Sequence, residues 1–142
     1  MAPITISPNT AKTPDAAAVT SMVSGRRSKA IADGALAQND FVYTTLAKKA
    51  KQVADTSEAE ATISHMVLMS AADTEEVSLL EIVAGLHIVV TGAWVAKTTY
   101  AVDAAGKVAP LADRGAGDFV FILGTSLDTD TLVCSPVYLG EL

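Results

Sequence analysis

Residues 98–110, TTYAVDAAGKVAP, and the nearby residues 116–124, AGDFVFILG, decide the fold class. In the first stretch the β-rich run Thr98, Thr99, Tyr100, Ala101, Val102 leads into a turn of Asp103, Ala104, Ala105 and Gly106. Lys107, Val108 and Ala109 then return before Pro110 stops the strand. β-Branched and aromatic residues fit a pleated, half-buried surface, and a glycine in the turn supplies the backbone freedom that a hairpin needs. In the second stretch Gly117 and Asp118 open a Phe, Val and Ile run that closes at Gly124, and Asp128-Thr129-Asp130 joins it to a further strand in TLVCSPVYLG.

The same pattern extends toward the N-terminus. EVSLLEIVAGLHIVVTGAWVA breaks around Gly85 and Gly92, where interior glycines predict a bend, bulge or turn. Asp33-Gly34 and Asn39-Asp40 are turn signals ahead of the strand Phe41, Val42, Tyr43, Thr44. QNDFVYTT (38–45) echoes AGDFVFIL (116–123) in spacing and character, as duplication or a recurring turn-to-strand entry would both produce. Between these, LAKKAKQVADTSEAEATI consists of strong helix formers, and propensity alone gives one helix from Leu46 to about Met69. The pattern disagrees, because Lys48, Lys49 and Lys51 interrupt any apolar face and Asp55-Thr56-Ser57 resembles a break followed by a helix cap. We therefore read a strand or hairpin through Lys51, a short helix over 57–63 and a strand in HMVLMS. The prediction is an all-β fold, a compact sandwich or barrel of short antiparallel strands with one short helix.

The first 25 residues differ. They hold three of the five prolines, Pro3, Pro8 and Pro14, with many Thr and Ser. Proline fixes φ and removes a backbone donor, so this part reads as an extended arm over 1–25 that precedes a single β domain over 26–142. Pro14 and Asp15 are suited to starting a short helix within 15–24.

Half of the residues are hydrophobic and 18% are charged, which excludes wholesale disorder. Aromatics make up 5%, so a core of small and β-branched side chains is expected, one that gains from burial between chains. No apolar run reaches the ~18 residues of a membrane helix, and MAPITISPNTAKTPD lacks a basic start and an apolar signal core. The expectation is a soluble protein with no signal peptide and no membrane partner. The net charge of −6 argues against a nucleic-acid partner, which needs a basic face, although seven of the ten basic residues precede residue 52.

Chemistry-bearing residues do not cluster. His65 and His87 sit in apolar strand-like runs without a partner at metal-ligand spacing, and Cys134 in TLVCSPVYL reads as a buried filler. Glu58 with Glu60 and Glu75 with Glu76 read as solvated pairs. RGAGD (114–118) lacks the Lys-Ser/Thr of a phosphate loop and leads into a strand, so it reads as a turn. Asp73, Asp128 and Asp130 lack the glycine turn and distal Glu of a calcium loop. No enzymatic activity, metal or cofactor is expected.

From GLHIVVTGAW through TTYAVDAAGKVAPLADRGAGDFVFILGTSLDTDTLVCSPV, the order of turns and strands resembles the capsid decoration (head cement) proteins of tailed bacteriophages. The likeness spans roughly residues 28–138 and is carried by Tyr100, Gly106, Gly117, Asp118, Gly124 and Leu132. It implies a structural virion protein, made in the host bacterial cytoplasm, that sits on the outer capsid surface as a homotrimer and clamps major capsid protein subunits. Pro3, Ile4, Ile6 and Pro8 of the arm, with Arg26, Arg27 and Lys29 at its root, are the expected capsid or inter-subunit contacts. The alternatives are a receptor- or glycan-binding β module of a phage tail or spike, with Trp94 and Tyr138 as candidate aromatics, and a small trimeric nucleotide hydrolase, disfavoured by its missing motifs.

Overall fold

The computed structural model describes residues 19–21, by their backbone, and 26–142. The arm positions Pro3, Ile4, Ile6 and Pro8 lie outside the described residues. Two antiparallel sheets form a sandwich. The six-stranded sheet runs β1 (Val19–Ser21), β7 (Leu86–Val89), β11 (Thr131–Glu141), β10 (Phe119–Ser126), β8 (Thr99–Val102), β9 (Val108–Pro110). The five-stranded sheet runs β2 (Arg27–Ile31), β6 (Glu76–Glu81), β5 (His65–Val67), β3 (Phe41–Thr44), β4 (Ala50–Gln52). The predicted hairpin at 98–110 is present as β8 and β9, with Tyr100 opposite Pro110 and Val102 opposite Val108.

One local reading changes and another holds. Residues 19–21, expected within a short helix, form an edge strand with Val19 opposite Ile88 and Ser21 opposite Leu86. Valine and threonine gain more from an available sheet edge than from a helix too short to hold itself. In the helix-prone region the pattern prevails over propensity. β3 and β4 form a hairpin whose turn places Lys48 at φ +62°, and the helix is the single turn α1 (Glu58–Ala61). Ser57 caps it by accepting from the Glu60 N–H.

The core is larger in grain than composition suggests. Phe41, Met66 and Leu80 from the five-stranded sheet pack with Leu86, Ile88, Tyr100, Phe121, Leu123 and Leu132 from the other, and Trp94 meets Tyr100 edge-on at 4.9 Å. The few large side chains are gathered between the sheets, while Ala and Val fill smaller outer clusters such as Ala32, Val42, Ala50, Val67 and Val77. The expected filling by small and β-branched side chains holds for most buried positions, which are Ala, Val and Ile, but composition did not show that the large ones gather mostly between the sheets.

Backbone bonds as well as side chains join the two sheets. The Gly106 N–H donates to Val53 O at 3.0 Å, and the Phe41 N–H donates to Gly106 O at 2.7 Å, so the β8–β9 turn is seated at the start of β3. Gly106 has φ +77°, and a Cβ there would lie 3.1 Å from the Asp40 Cγ, which leaves little room for any side chain. Gly124 marks an irregularity in β10, between Ile122 and Gly124, where the register with both β8 and β11 shifts. A Cβ on Gly124 would run into the carbonyl oxygen of Val133 and lie 2.9 Å from the Cys134 Cα, both backbone atoms that cannot swing aside.

Gly124→Ala is therefore expected to destabilise the fold by about 4 kcal/mol or more, against about 1 kcal/mol for Gly34→Ala, where φ is +88° but the space is open. Denaturant midpoints of the two variants check this; equal losses would contradict the close approach at Gly124.

Candidate functional site

Buried polar groups come first, because a reaction would need them. The guanidinium of Arg114 is almost enclosed, its side chain 5% exposed, and its Nη1 donates to Asp55 Oδ2 at 3.1 Å, Asp103 Oδ1 at 3.2 Å and the Val102 carbonyl at 3.2 Å. Asp118 Oδ2 stands 3.9 Å away and accepts from the Gly115 N–H. One cation thus ties the loop before α1, the end of β8 and the turn before β10. Burial, joined by the negative charges of Asp118 and Asp103, pushes the Asp55 carboxyl above its ordinary value despite Arg114. The sequence reading of RGAGD as a turn was right, but it missed the arginine's role; the signal available was a lone Arg amid Asp103, Asp113 and Asp118.

Asp40 is the second buried group. Its Oδ2 accepts from the Ala37 N–H at 3.0 Å and the Gln52 amide at 2.8 Å, and burial outweighs these bonds to raise its pKa. Among the described residues, the hydrogen-bond partners of these carboxylates are backbone N–H groups, the Gln52 amide and the Arg114 guanidinium. Their geometry is that of strand entry and loop fastening.

The other candidates are dispersed. His65 is half-buried on β5 with Nδ1 2.8 Å from the Ser64 hydroxyl, and burial lowers its pKa while Glu81 opposes the shift. His87 stands on β7, opposite Thr20 and Val133. Burial pushes the Cys134 thiol up to about 12, which leaves it unreactive. Asp73 accepts from Gly34, Asp130 from Gly92, and Asp128 from the N–H groups of Asp130 and Thr131. Each carboxylate fastens a different loop, and among the described residues no group of three or more His, Cys, Asp or Glu is placed to hold a metal ion. Glu75 accepts from the Ala72 N–H, and Glu60 accepts from the Thr56 hydroxyl. Trp94 is buried, so it offers no face for a sugar to stack on, and Tyr138 packs partly against the core.

What the surface offers is contact area. Arg26, Arg27 and Lys29 are exposed at the edge strand β2, as their place in the sequence suggested. Arg26 stands 3.8 Å from Glu81 and Lys29 3.4 Å from Glu76, so β6 already supplies acids to two of the three, whereas Arg27 has no ion pair among the described residues. The sequence reading did not single out the outer face of the six-stranded sheet. There Ala101, Val120 and Ile122 form a small apolar cluster capped by Leu111, and Val137, opposite Ile122 on β11, extends it. Val137, Leu139 and Leu142 remain 47%, 60% and 58% exposed. Beside them, among the described residues, the edge of β11 is open from Ser135 onward, because β7 pairs only with Thr131, Leu132 and Val133. In comparisons with known proteins, no family model matches the chain, and no curated protein or solved structure does.

Replacing Arg114 with Met should cost about 2–3 kcal/mol, below the usual loss for breaking a fully buried pair because the three carboxylates are partly solvated. Lys29→Met should cost under about 0.5 kcal/mol, since both partners of that pair are exposed. Comparable losses in urea unfolding would contradict the fastening role of Arg114.

Asp40 sets a pH dependence. Its native pKa is raised, so its contribution to stability is fully present below the unfolded-state value and is lost as pH rises through the native one. Asp40→Asn keeps an oxygen for both donors and removes this loss, so the variant should gain on the natural protein as pH rises from about 4 to 7. Paired melting curves across that range check the sign; a constant difference would contradict it.

Proposed function

We propose that this chain is a structural virion protein that decorates the outer surface of a tailed-phage icosahedral head and stabilises it by bridging neighbouring major capsid protein subunits. The observation that carries this reading is the exposed apolar strip of Val137, Leu139 and Leu142 beside an open strand edge, on an otherwise fastened sandwich. Such a surface suits protein contact, by apolar burial and by strand addition. The order of turns and strands over residues 85–138 supports the same reading through its resemblance to decoration proteins, and the buried polar groups at Arg114 and Asp40 serve the loops. Homotrimer formation belongs to this proposal, with the arm and its basic root as contacts to the capsid or to neighbouring copies.

The mechanism is mass action. A protein that binds the assembled shell and not its separated subunits lowers the free energy of the shell by its binding free energy, and many weak sites add over a lattice. Arg27 is available for an acidic patch on the shell, with an exposed pair contributing under about 1 kcal/mol.

Undecorated heads mixed with the full chain should bind it saturably and disrupt at a higher temperature, while dissociated major capsid protein should not bind it. Heads that neither take up the chain nor gain stability at saturating concentration would overturn the proposal.

A further inference from the structure

β11 is eleven residues long, and its two sides are unequally covered. β10 follows it as far as Glu141, whereas β7 pairs with only three residues and the Gly85 N–H makes the last bond on that side, to Cys134 O at 2.9 Å. No backbone hydrogen bond from the described residues reaches the β7-facing side of residues 135–141. Apart from Pro136, which has no N–H, the strand there presents N–H and C=O groups that are unpaired among the described residues, next to the exposed side chains of Val137 and Leu139, a combination that favours capture of an extended segment.

The N-terminal sequence contains such a segment. Ile4 and Ile6 flank Thr5, and Pro3 and Pro8 bracket the group. In an extended strand residues two apart share a face, so Ile4 and Ile6 would stand about 7 Å apart on one side, to meet Val137 and Leu139, the latter being the extra residue where the register with β10 shifts. Prolines at either end end the hydrogen-bond ladder after a few residues. Besides Met1, these isoleucines are the large apolar residues that precede Val19.

Strand direction identifies the source. β1 and β11 are both antiparallel to β7, so β1 runs in the direction of β11, and Val19 lies level with Leu132 through Ile88. The chain thus enters β1 from the end of the sheet that holds the Asp128–Asp130 turn, while the open edge begins beyond the other end of β7. Reaching its own edge would require a reversal of the chain. The twelve residues between Ile6 and Val19 span up to about 40 Å when extended, enough to cross to another copy.

We infer that residues 4–6 of one copy add a strand to the open edge of β11, residues 135–141, of a neighbouring copy, with Ile4 and Ile6 covering Val137 and Leu139. The exchange is head-to-tail, so it closes into a ring when the rotation between copies permits. It needs no capsid, and its failure would leave the capsid reading standing.

The test uses the purified chain. Ile6→Cys and Leu139→Cys are made in separate chains, mixed and oxidised; the buried Cys134 thiol gives little background. Mixed disulfide-linked dimers are expected, and Ile6→Cys mixed with Leu46→Cys, whose site is fully exposed at the β3–β4 turn, should give none above background. A chain lacking residues 2–8 should sediment as a smaller species than the full chain. The inference is overturned if the mixture gives no dimers beyond that control, if a doubly substituted chain links only within itself, or if truncation leaves the sedimenting mass per particle unchanged apart from the residues removed.

Discussion

Seating Gly106 at the start of β3 fixes how the two sheets face each other. A sandwich held only by apolar contact has a core but no unique register between its layers. Here one residue of the β8–β9 turn donates to Val53 and accepts from Phe41, so the turn of one sheet is bonded to the beginning of the other. The buried carboxylate of Asp40 closes over the same place, held by Ala37 and Gln52, and the side-chain-free Gly106 leaves it room. Behind this junction the large residues Phe41, Tyr100 and Met66 are fully enclosed.

The same strand-starting device occurs twice. At Asp40 and at Asp118, the backbone N–H bonds the carbonyl three residues earlier, and the carboxylate accepts from the N–H of that same earlier residue. In both cases the residue before the aspartate has a positive φ, +70° at Asn39 and +88° at Gly117, and a phenylalanine opens the strand that follows. One turn starts β3 and the other starts β10, so each sheet has one. The Phe41 N–H then reaches Gly106 and the Phe119 N–H reaches Asp55, which fastens each strand start to a loop elsewhere in the fold. Local turn chemistry accounts for the echo between residues 38–45 and 116–123 without requiring duplication.

Alternation and turn residues made the fold class, the β8–β9 hairpin and the β10–β11 pair legible in the sequence, because these features are local. Ser57 was legible as a cap for the same reason. Long-range consequences were not. The enclosure of Arg114 depends on Asp55, far away in the chain, and the Gly124 irregularity depends on the Val133 backbone across the sheet. The β1 edge strand was misread because its strand character comes from β7 and not from its own sequence. The basic root of the arm was found by inspection, yet its acids on β6 lie about fifty residues away and became apparent only through the pairing of β2 with β6. The exposed half of β11 escaped notice because TLVCSPVYLG alternates like any half-buried strand, and only the shortness of β7 leaves its second half open.

In the proposed function, the exposed Val137, Leu139 and Leu142 at the open part of β11 are the surface that other protein chains bind. Electron micrographs of particles assembled with and without this protein test that claim most directly. The account predicts regularly placed density on the outer shell surface that is absent when the protein is withheld; identical shells, or density confined to the tail or the capsid interior, would contradict it.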